Sequence, residues 1–174
     1  MNNKLDANLQ IIGLGMATLD VLVRLKTMPT WTQGARINGF RFDGGGPVGT
    51  AMVAAAKLGA RVGFVGTAGN DAAELDRAYV TAADYLHLDG FHAEAALQAA
   101  RWMHAAGKTV ILDGHKTTGS VRDHLRKLVA HVDILISGSG FVQGLTGLTD
   151  LWEAAAATLA LGPRIVVQTE GKDG

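Results

Sequence analysis

The sequence has no cysteine. That excludes a disulfide framework and a thiolate nucleophile, and it is compatible with a reducing compartment. Neither sign of charge predominates: sixteen Lys and Arg residues offset sixteen Asp and Glu residues, so no basic field points to nucleic acid and no charged block to a membrane surface. No apolar run reaches the roughly 18 residues of a membrane span. The start, Met1-Asn2-Asn3-Lys4-Leu5-Asp6, lacks the basic-then-apolar order of a secretory signal. The expectation is a cytoplasmic protein whose partner is a small molecule, with no nucleic-acid or membrane partner.

Several catalytic patterns are also incomplete. His87, His92, His104, His115, His124 and His131 are dispersed and form no His-x-x-x-His pair, so no metal site is read from them. Gly138-Ser139-Gly140 lacks the full Gly-x-Ser-x-Gly elbow of a serine hydrolase. Gly13-x-Gly15 follows an apolar run, but the third glycine of a dinucleotide fingerprint would fall at Thr18, and Leu19-Asp20-Val21-Leu22-Val23 reads as a strand rather than a helix. A nicotinamide oxidoreductase is therefore held only by one Gly-x-Gly.

What the chain does have is an apolar fraction of 48%, a charged fraction of 18% and 23 glycines in 174 residues, the profile of one small-residue-rich α/β domain. It is organised around Asp43 to Asp71. Gly44-Gly45-Gly46 precedes Pro47, which opens a small-residue helix closing at Gly59; the strand Val62 to Val65 follows, and Gly66-Thr67-Ala68-Gly69-Asn70-Asp71 ends it. Glycines leave no Cβ between backbone and ligand, and a helix N-terminus presents free N–H groups, which together suit the oxygens of sugars, phosphates or carboxylates. The plainer alternative is a loop followed by a core helix.

Around this stretch, short apolar runs alternate with helical ones. Strands are expected at Leu9 to Met16, Val62 to Val65, Tyr85 to Leu88, Thr109 to Leu112, Ile134 to Ile136 and Arg164 to Gln168, and helices at Val48 to Leu58, Ala93 to Ala106, Val121 to Ala130 and Leu151 to Leu161. This predicts parallel β-α units with right-handed connections. Val21 to Leu25 and Ala35 to Phe42 read as two further β segments with one wet face. In an open parallel sheet ligands bind beyond the carboxyl ends of the strands. Those ends carry Asp20, Asp89-Gly90, Asp113-Gly114-His115, Ser137-Gly138-Ser139 and Thr169-Glu170-Gly171.

The combination of Gly44-Gly45-Gly46, Leu58-Gly59-Ala60 and Gly66-Thr67-Ala68-Gly69-Asn70-Asp71 resembles the first signature of the ribokinase-like, or PfkB, carbohydrate kinases. The Gly-Gly-Gly-Pro variant, with Gly49 where many members have Asn, is similar to the branch containing sulfofructose kinase. The run GLGMATLD resembles the turn whose Asp holds sugar hydroxyls in that family, with Asp20 in the matching place; the alternative is a turn Asp capping local N–H groups. The resemblance implies a three-layer α/β fold, a mainly parallel sheet flanked by helices, and an incomplete β lid formed by residues 21–42. It implies a sugar or sugar-like alcohol bound by Asp20, Gly44, Gly45, Gly46 and Asp113, and ATP with Mg²⁺ as cofactors, the nucleotide meeting Ser139, Thr169 and Gly171. A homodimer is among the assemblies left open.

The same resemblance shows what is missing. The family places its base and anion hole in a late Gly-Ala-Gly-Asp motif, which these 174 residues do not contain, and the positions of its metal-organising Asn-x-x-Glu hold Gly138 and Phe141. Lid residues after Asp71 are also fewer than the family carries. The expectation is a carbohydrate kinase chain, shortened internally and at its C-terminal nucleotide-binding part and weak or inactive by itself, with no catalytic residue assigned. The alternative is a non-catalytic sugar-binding or scaffold protein derived from the same fold.

Overall fold

Each short apolar run becomes a strand, and each intervening helical stretch carries the chain back to the start of the next, which makes neighbouring strands parallel. The structure is a computed structural model and describes residues 8–66 and 75–174. In chain order the elements are β1 Ile11–Leu14, β2 Thr18–Leu25, β3 Ile37–Gly45, α1 Pro47–Lys57, β4 Val62–Val65, α2 Arg77–Val80, β5 Tyr85–Leu88, α3 Ala93–Ala105, β6 Thr109–Asp113, α4 Asp123–Val129, β7 Ile134–Gly138, α5 Phe141–Thr146, α6 Leu151–Leu159 and β8 Ile165–Thr169. A 3-10 turn at Gly171–Asp173 follows.

Six strands form one sheet in the order β4-β1-β5-β6-β7-β8, with every pairing parallel. The register aligns Leu14, Leu88 and Leu112 across three strands, and Leu112 with Leu135. All four are buried with the apolar residues of α2 to α6 in one core. Burying each such side chain stabilises the fold by about 1.5–3 kcal/mol. The opposite face carries Gly13, His87, Ile111 and Ile134 in register. There α1 lies so close that a Cβ on Gly13 would run into Val48 and Met52, the two buried residues of that helix. Beyond α1 this second face is less covered: Ile136 and Val167 remain 41% and 42% exposed.

The helices stop and start where local chemistry dictates. Asp76 accepts from the N–H groups of Ala78 and Tyr79 to open α2, and Asp150 from those of Trp152 and Glu153 to open α6. Gly107, with φ at 69°, ends α3 in a left-handed conformation that a β-carbon would disfavour.

Several expectations need correction. The glycine run is not all loop: β3 continues through it, pairing Gly44 with Leu19 and Gly45 with Thr18. Asp20 therefore sits inside β2 rather than in the turn after β1. The β2–β3 ribbon has no dry face, because it stands away from the sheet and Leu19, Val21, Phe40 and Phe42 are all more than half exposed. Helix α5 was not expected; six residues with Gly144 among them are too short for periodicity to show. Asp113 and Ser137-Gly138 belong to strands rather than to the turns after them. Thr67 to Asp71, the end of the signature stretch, lie outside the described residues.

Candidate functional site

The chain leaves β1 on one side to reach β4 and later returns on the other side as β5, so the direction of winding reverses between β1 and β5. A crevice opens at the carboxyl ends of strands where such a reversal occurs. Here those ends are Gly15-Met16 and Asp89-Gly90. The Asp89 carboxylate, 1% exposed, accepts from Met16 N–H at 2.7 Å and from Phe91 N–H at 3.0 Å. Two backbone donors satisfy a charge that burial would otherwise penalise.

Met16 links this crevice to the glycine run. Its carbonyl accepts from Gly49 N–H at 3.0 Å, so one donor at the start of α1 is used internally rather than offered to a ligand. Gly46 has φ at 89° and sits where a Cβ would press on the same carbonyl, which is why neither the torsion nor the space admits a larger residue. Gly45 lies directly under Asp20: a Cβ there would occupy the position of the Asp20 carboxylate. Gly44 is open on its side-chain face, and its N–H donates to Asp43 Oδ1 at 3.0 Å. Asp20 is exposed, accepts from Thr18 Oγ at 2.9 Å and faces Asp43 directly across the ribbon. Asp43 is paired with Arg41 at 3.0 Å. Asp20, Gly44, Gly45 and Gly46 are thus brought together, with a carboxylate presented over bare backbone.

A second cluster forms at the other end of the same edge. Ser139 Oγ donates to the Thr169 carbonyl at 3.3 Å, and Thr169 Oγ donates to the Ser137 carbonyl at 3.4 Å. Gly171 follows with φ at 64°. Ser139, Thr169 and Gly171 are therefore neighbours at the ends of β7 and β8, three to four strand intervals from β1, or roughly 14–19 Å along the sheet edge. Gln168 braces this corner by accepting from Val142 N–H at 2.9 Å and donating to Gln143 and Glu170.

Between the two clusters lies Asp113 at the end of β6. It accepts from His115 N–H at 2.9 Å and lies two strands along the sheet from β1. His115 has φ at 56°, a left-handed value otherwise confined to glycines among the described residues. Its ring is pinned by Nε2 against the Asp89 carbonyl at 2.7 Å and packs on Phe91 at 4.9 Å between centroids. Strain held by surrounding contacts in this way is a mark of positions kept for a task. A cavity of about 340 Å³ opens beside it, walled by the segments after β5 and β6, the start of α4 and Phe141.

His87, in the middle of the sheet, has its pKa lowered because burial disfavours the imidazolium; the charges of Asp113 and Asp89 oppose this only in part. His131 is lowered too, by burial and then by the nearby Arg101 and His104.

Sequence reasoning missed the role of Asp89 as the joint between β1 and β5, and it missed Lys116, Arg122 and His124 around the cavity. Asp89-Gly90 at a strand end was a signal for the first. For the others there was none, since they come from a loop and a short helix with no motif.

No protein-family model and no curated protein matches the chain. Solved structures do. A ribokinase of Arabidopsis thaliana solved with ribose and ATP superposes with a TM-score of 0.74 at 18% identity, the match covering 96% of this chain and 73% of that one. A ribokinase described from Agrobacterium tumefaciens reaches 0.79 at 18% identity, over 96% of this chain and 72% of that one. A ribokinase II of E. coli in complex with ATP and Mg²⁺ reaches 0.66 at 14% identity, over 92% and 72%. The fold is ribokinase-like.

Within this ribokinase-like fold the residues present suit the two implied cofactors unequally. Ser139 and Thr169 leave hydroxyl oxygens, and Gly171 uncovered backbone, at one strand corner, a setting a nucleotide can use. For Mg²⁺ the fit fails. Phe141 is buried in the core and the space before Gly138 is taken by Lys116, and no group of three or more His, Asp or Glu able to hold a metal occurs among the described residues. No helix among them is long and apolar enough to cross a membrane.

Proposed function

We propose that this chain is a member of the ribokinase-like carbohydrate kinases. In this reading it forms one α/β domain with residues 21–42 as a partial lid, and it grips a sugar or sugar-like alcohol through Asp20 and the glycines 44–46. The observation that carries the reading is the Asp20 carboxylate standing over Gly45 beside the β1/β5 crevice. A carboxylate accepts from two adjacent hydroxyls at once, and a backbone without Cβ lets the ring approach. The Gly-Gly-Gly-Pro run is what favours the sulfofructose-kinase-like branch within the family.

ATP, bound at Ser139, Thr169 and Gly171, would supply the phosphoryl group. The sugar hydroxyl forms the new P–O bond as the bond to the ADP oxygen breaks, and the hydroxyl proton must pass to a base. Among this chain's own strand-end carboxylates, Asp89 is committed to two backbone donors and Asp113 to His115 N–H. That commitment favours a second reading, in which these residues hold the sugar without transferring phosphate.

The test is calorimetric titration of a panel of neutral sugars against the parent chain and Asp20→Ala. Charge-assisted hydrogen bonds contribute about 1.5–3 kcal/mol each, so Asp20→Ala should weaken the sugar bound by the parent by roughly 10- to 100-fold. Equal affinity in both proteins would remove Asp20 from the site, and binding of no sugar by the parent would remove the reading.

A further inference from the structure

Strand β8 is an outer strand of the sheet: among the described residues it pairs with β7 alone. Its odd-numbered residues turn their backbone groups toward β7. Ile165 N–H donates to the Asp133 carbonyl, Ser137 Oγ donates to the Val167 carbonyl, and Ser139 Oγ donates to that of Thr169. Backbone groups alternate sides along a strand, so the N–H and C=O of Val166 and Gln168 point outward. The Gly174 carbonyl takes the N–H of Glu170 and closes the edge at that end. An open edge is a template for another strand, and chains that leave one unused blunt it with proline, charge or a bulge. From Ile165 to Thr169 β8 has none of these, and Ile165-Val166-Val167 is a β-branched run.

This edge is complementary to itself in one antiparallel register. With Val167 opposite Val167 of a second copy, Val166 stands opposite Gln168, Ile165 opposite Thr169, and Arg164 opposite Glu170. The outward groups of Val166 and Gln168 then meet as hydrogen-bonded pairs, and a pair of opposite charges closes each end. Sliding the register either way loses the match of Arg164 with Glu170. Arg164 also bridges Asp133 at 3.4 Å, and Glu170 accepts from Gln168 at 2.6 Å. A guanidinium with several donors and a carboxylate with two oxygens retain capacity for a further partner. The other outer strand, β4, offers no such match: Gly63 lies within it, and Arg61 before it is answered by Gly66 and Thr67 rather than by an acid.

Helix α6 adds apolar surface beside the same edge. It packs on β8, and Glu153 is the only charged residue from Leu151 to Leu161. Trp152 is 80% exposed, and Ala156 and Leu159, which follow it at helical spacing, are exposed too. A helix side open to water is ordinarily polar.

We propose that β8 is a self-association edge. Two copies of this chain pair β8 antiparallel about a two-fold axis at Val167, which joins two six-stranded sheets into one and sets both α6 helices on the same side of it. Such a contact uses the same edge of each copy and closes at the dimer. The edge lies three strand intervals from β5, so Asp20 and the glycine run take no part, and the inference does not rest on the kinase reading.

Sedimentation equilibrium of the whole chain measures the association, and the lack of cysteine lets a single one be introduced as a probe. The parent should dimerise with a Kd in the micromolar range, since a short edge is a small interface. Arg164→Glu and Glu170→Arg should each weaken the dimer by at least about tenfold, because each turns both attractive end pairs into repulsive ones. The double variant Arg164→Glu/Glu170→Arg should recover most of that loss. Val167→Cys should form an intermolecular disulfide on mild oxidation, because a pair without mutual hydrogen bonds holds its Cα atoms about 4.5 Å apart, within disulfide reach. Val21→Cys, on the ribbon and also exposed, should not. Far-UV circular dichroism verifies folding; if Arg164→Glu does not fold, Glu170→Arg and the cysteine probes carry the comparison. A parent that stays monomeric throughout the micromolar range overturns the inference. So does a dimer indifferent to both single reversals, a double variant no tighter than the singles, or a crosslink through Val21→Cys with none through Val167→Cys.

Discussion

The Asp89 carboxylate fills the space in front of Gly15, so that a Cβ added at Gly15 would coincide with it. This contact closes β1 against β5 at the point where the winding reverses, and it holds Met16, whose carbonyl in turn receives the start of α1. One carboxylate thus sets the relative position of the crevice and the glycine run. Asp89→Ala should lower the unfolding free energy by about 1–3 kcal/mol, the cost of leaving buried donors unpaired. Gly15→Ala should be at least as damaging, because the carboxylate must move or the strands must part. Urea denaturation of both variants measures this; a loss under about 0.5 kcal/mol for Asp89→Ala, the range of ordinary surface changes, would show that the contact is dispensable.

Stability should fall on the acid side of neutrality. His87 has a folded pKa below its ordinary value of 6.5, chiefly through burial. The unfolded chain then binds more protons than the folded one between that lowered value and about 6.5, so stability rises with pH across this window. It is fully present above about 6.5 and lost progressively as pH falls toward the folded value. His131 is shifted in the same direction. Urea midpoints at about pH 7.5 and about pH 5.5 should differ, the lower pH giving the lower midpoint, and His87→Gln should narrow the gap. A gap equal to that of the parent would assign the effect to other groups.

Sugar-dependent ADP release by these 174 residues alone should be slow. Without a free base at the strand ends about 10²–10⁴-fold is lost, and without an anion-hole donor about 10²–10³-fold. The two losses need not add, and either one leaves a weak enzyme. A coupled assay over the sugar panel decides it. Turnover near or above about 1 s⁻¹, within the ordinary enzyme range, would show that transfer proceeds from residues within the chain, with Asp89 and Asp113 the first to substitute.

Much of the sheet was legible in the sequence because parallel strands are short apolar runs bounded by turn residues. Val62–Val65 and Tyr85–Leu88 have the expected limits, and all six expected core strands lie in one sheet. The structure sets Asp20 beside the glycine run through the β2–β3 ribbon, and Ser139 beside Thr169 because the ends of neighbouring parallel strands share one edge. The extension of β3 through Gly44 and Gly45 was not legible, because glycine has low strand propensity and pairs here only through the backbone. Helix α5 escaped for want of length.

By itself the sequence determined the class of fold and the side of the sheet on which chemistry can occur, because both follow from the order and period of apolar residues, which are local properties. Tertiary structure decided which strand ends are neighbours. The reversal between β1 and β5 sets Asp89 against Gly15, and the crossover through α4 brings Arg122 and His124 to the same cavity as Phe91 and His115. These residues share no spacing, and only the parallel register, which places successive strands about 4.8 Å apart whatever the chain length between them, makes them adjacent.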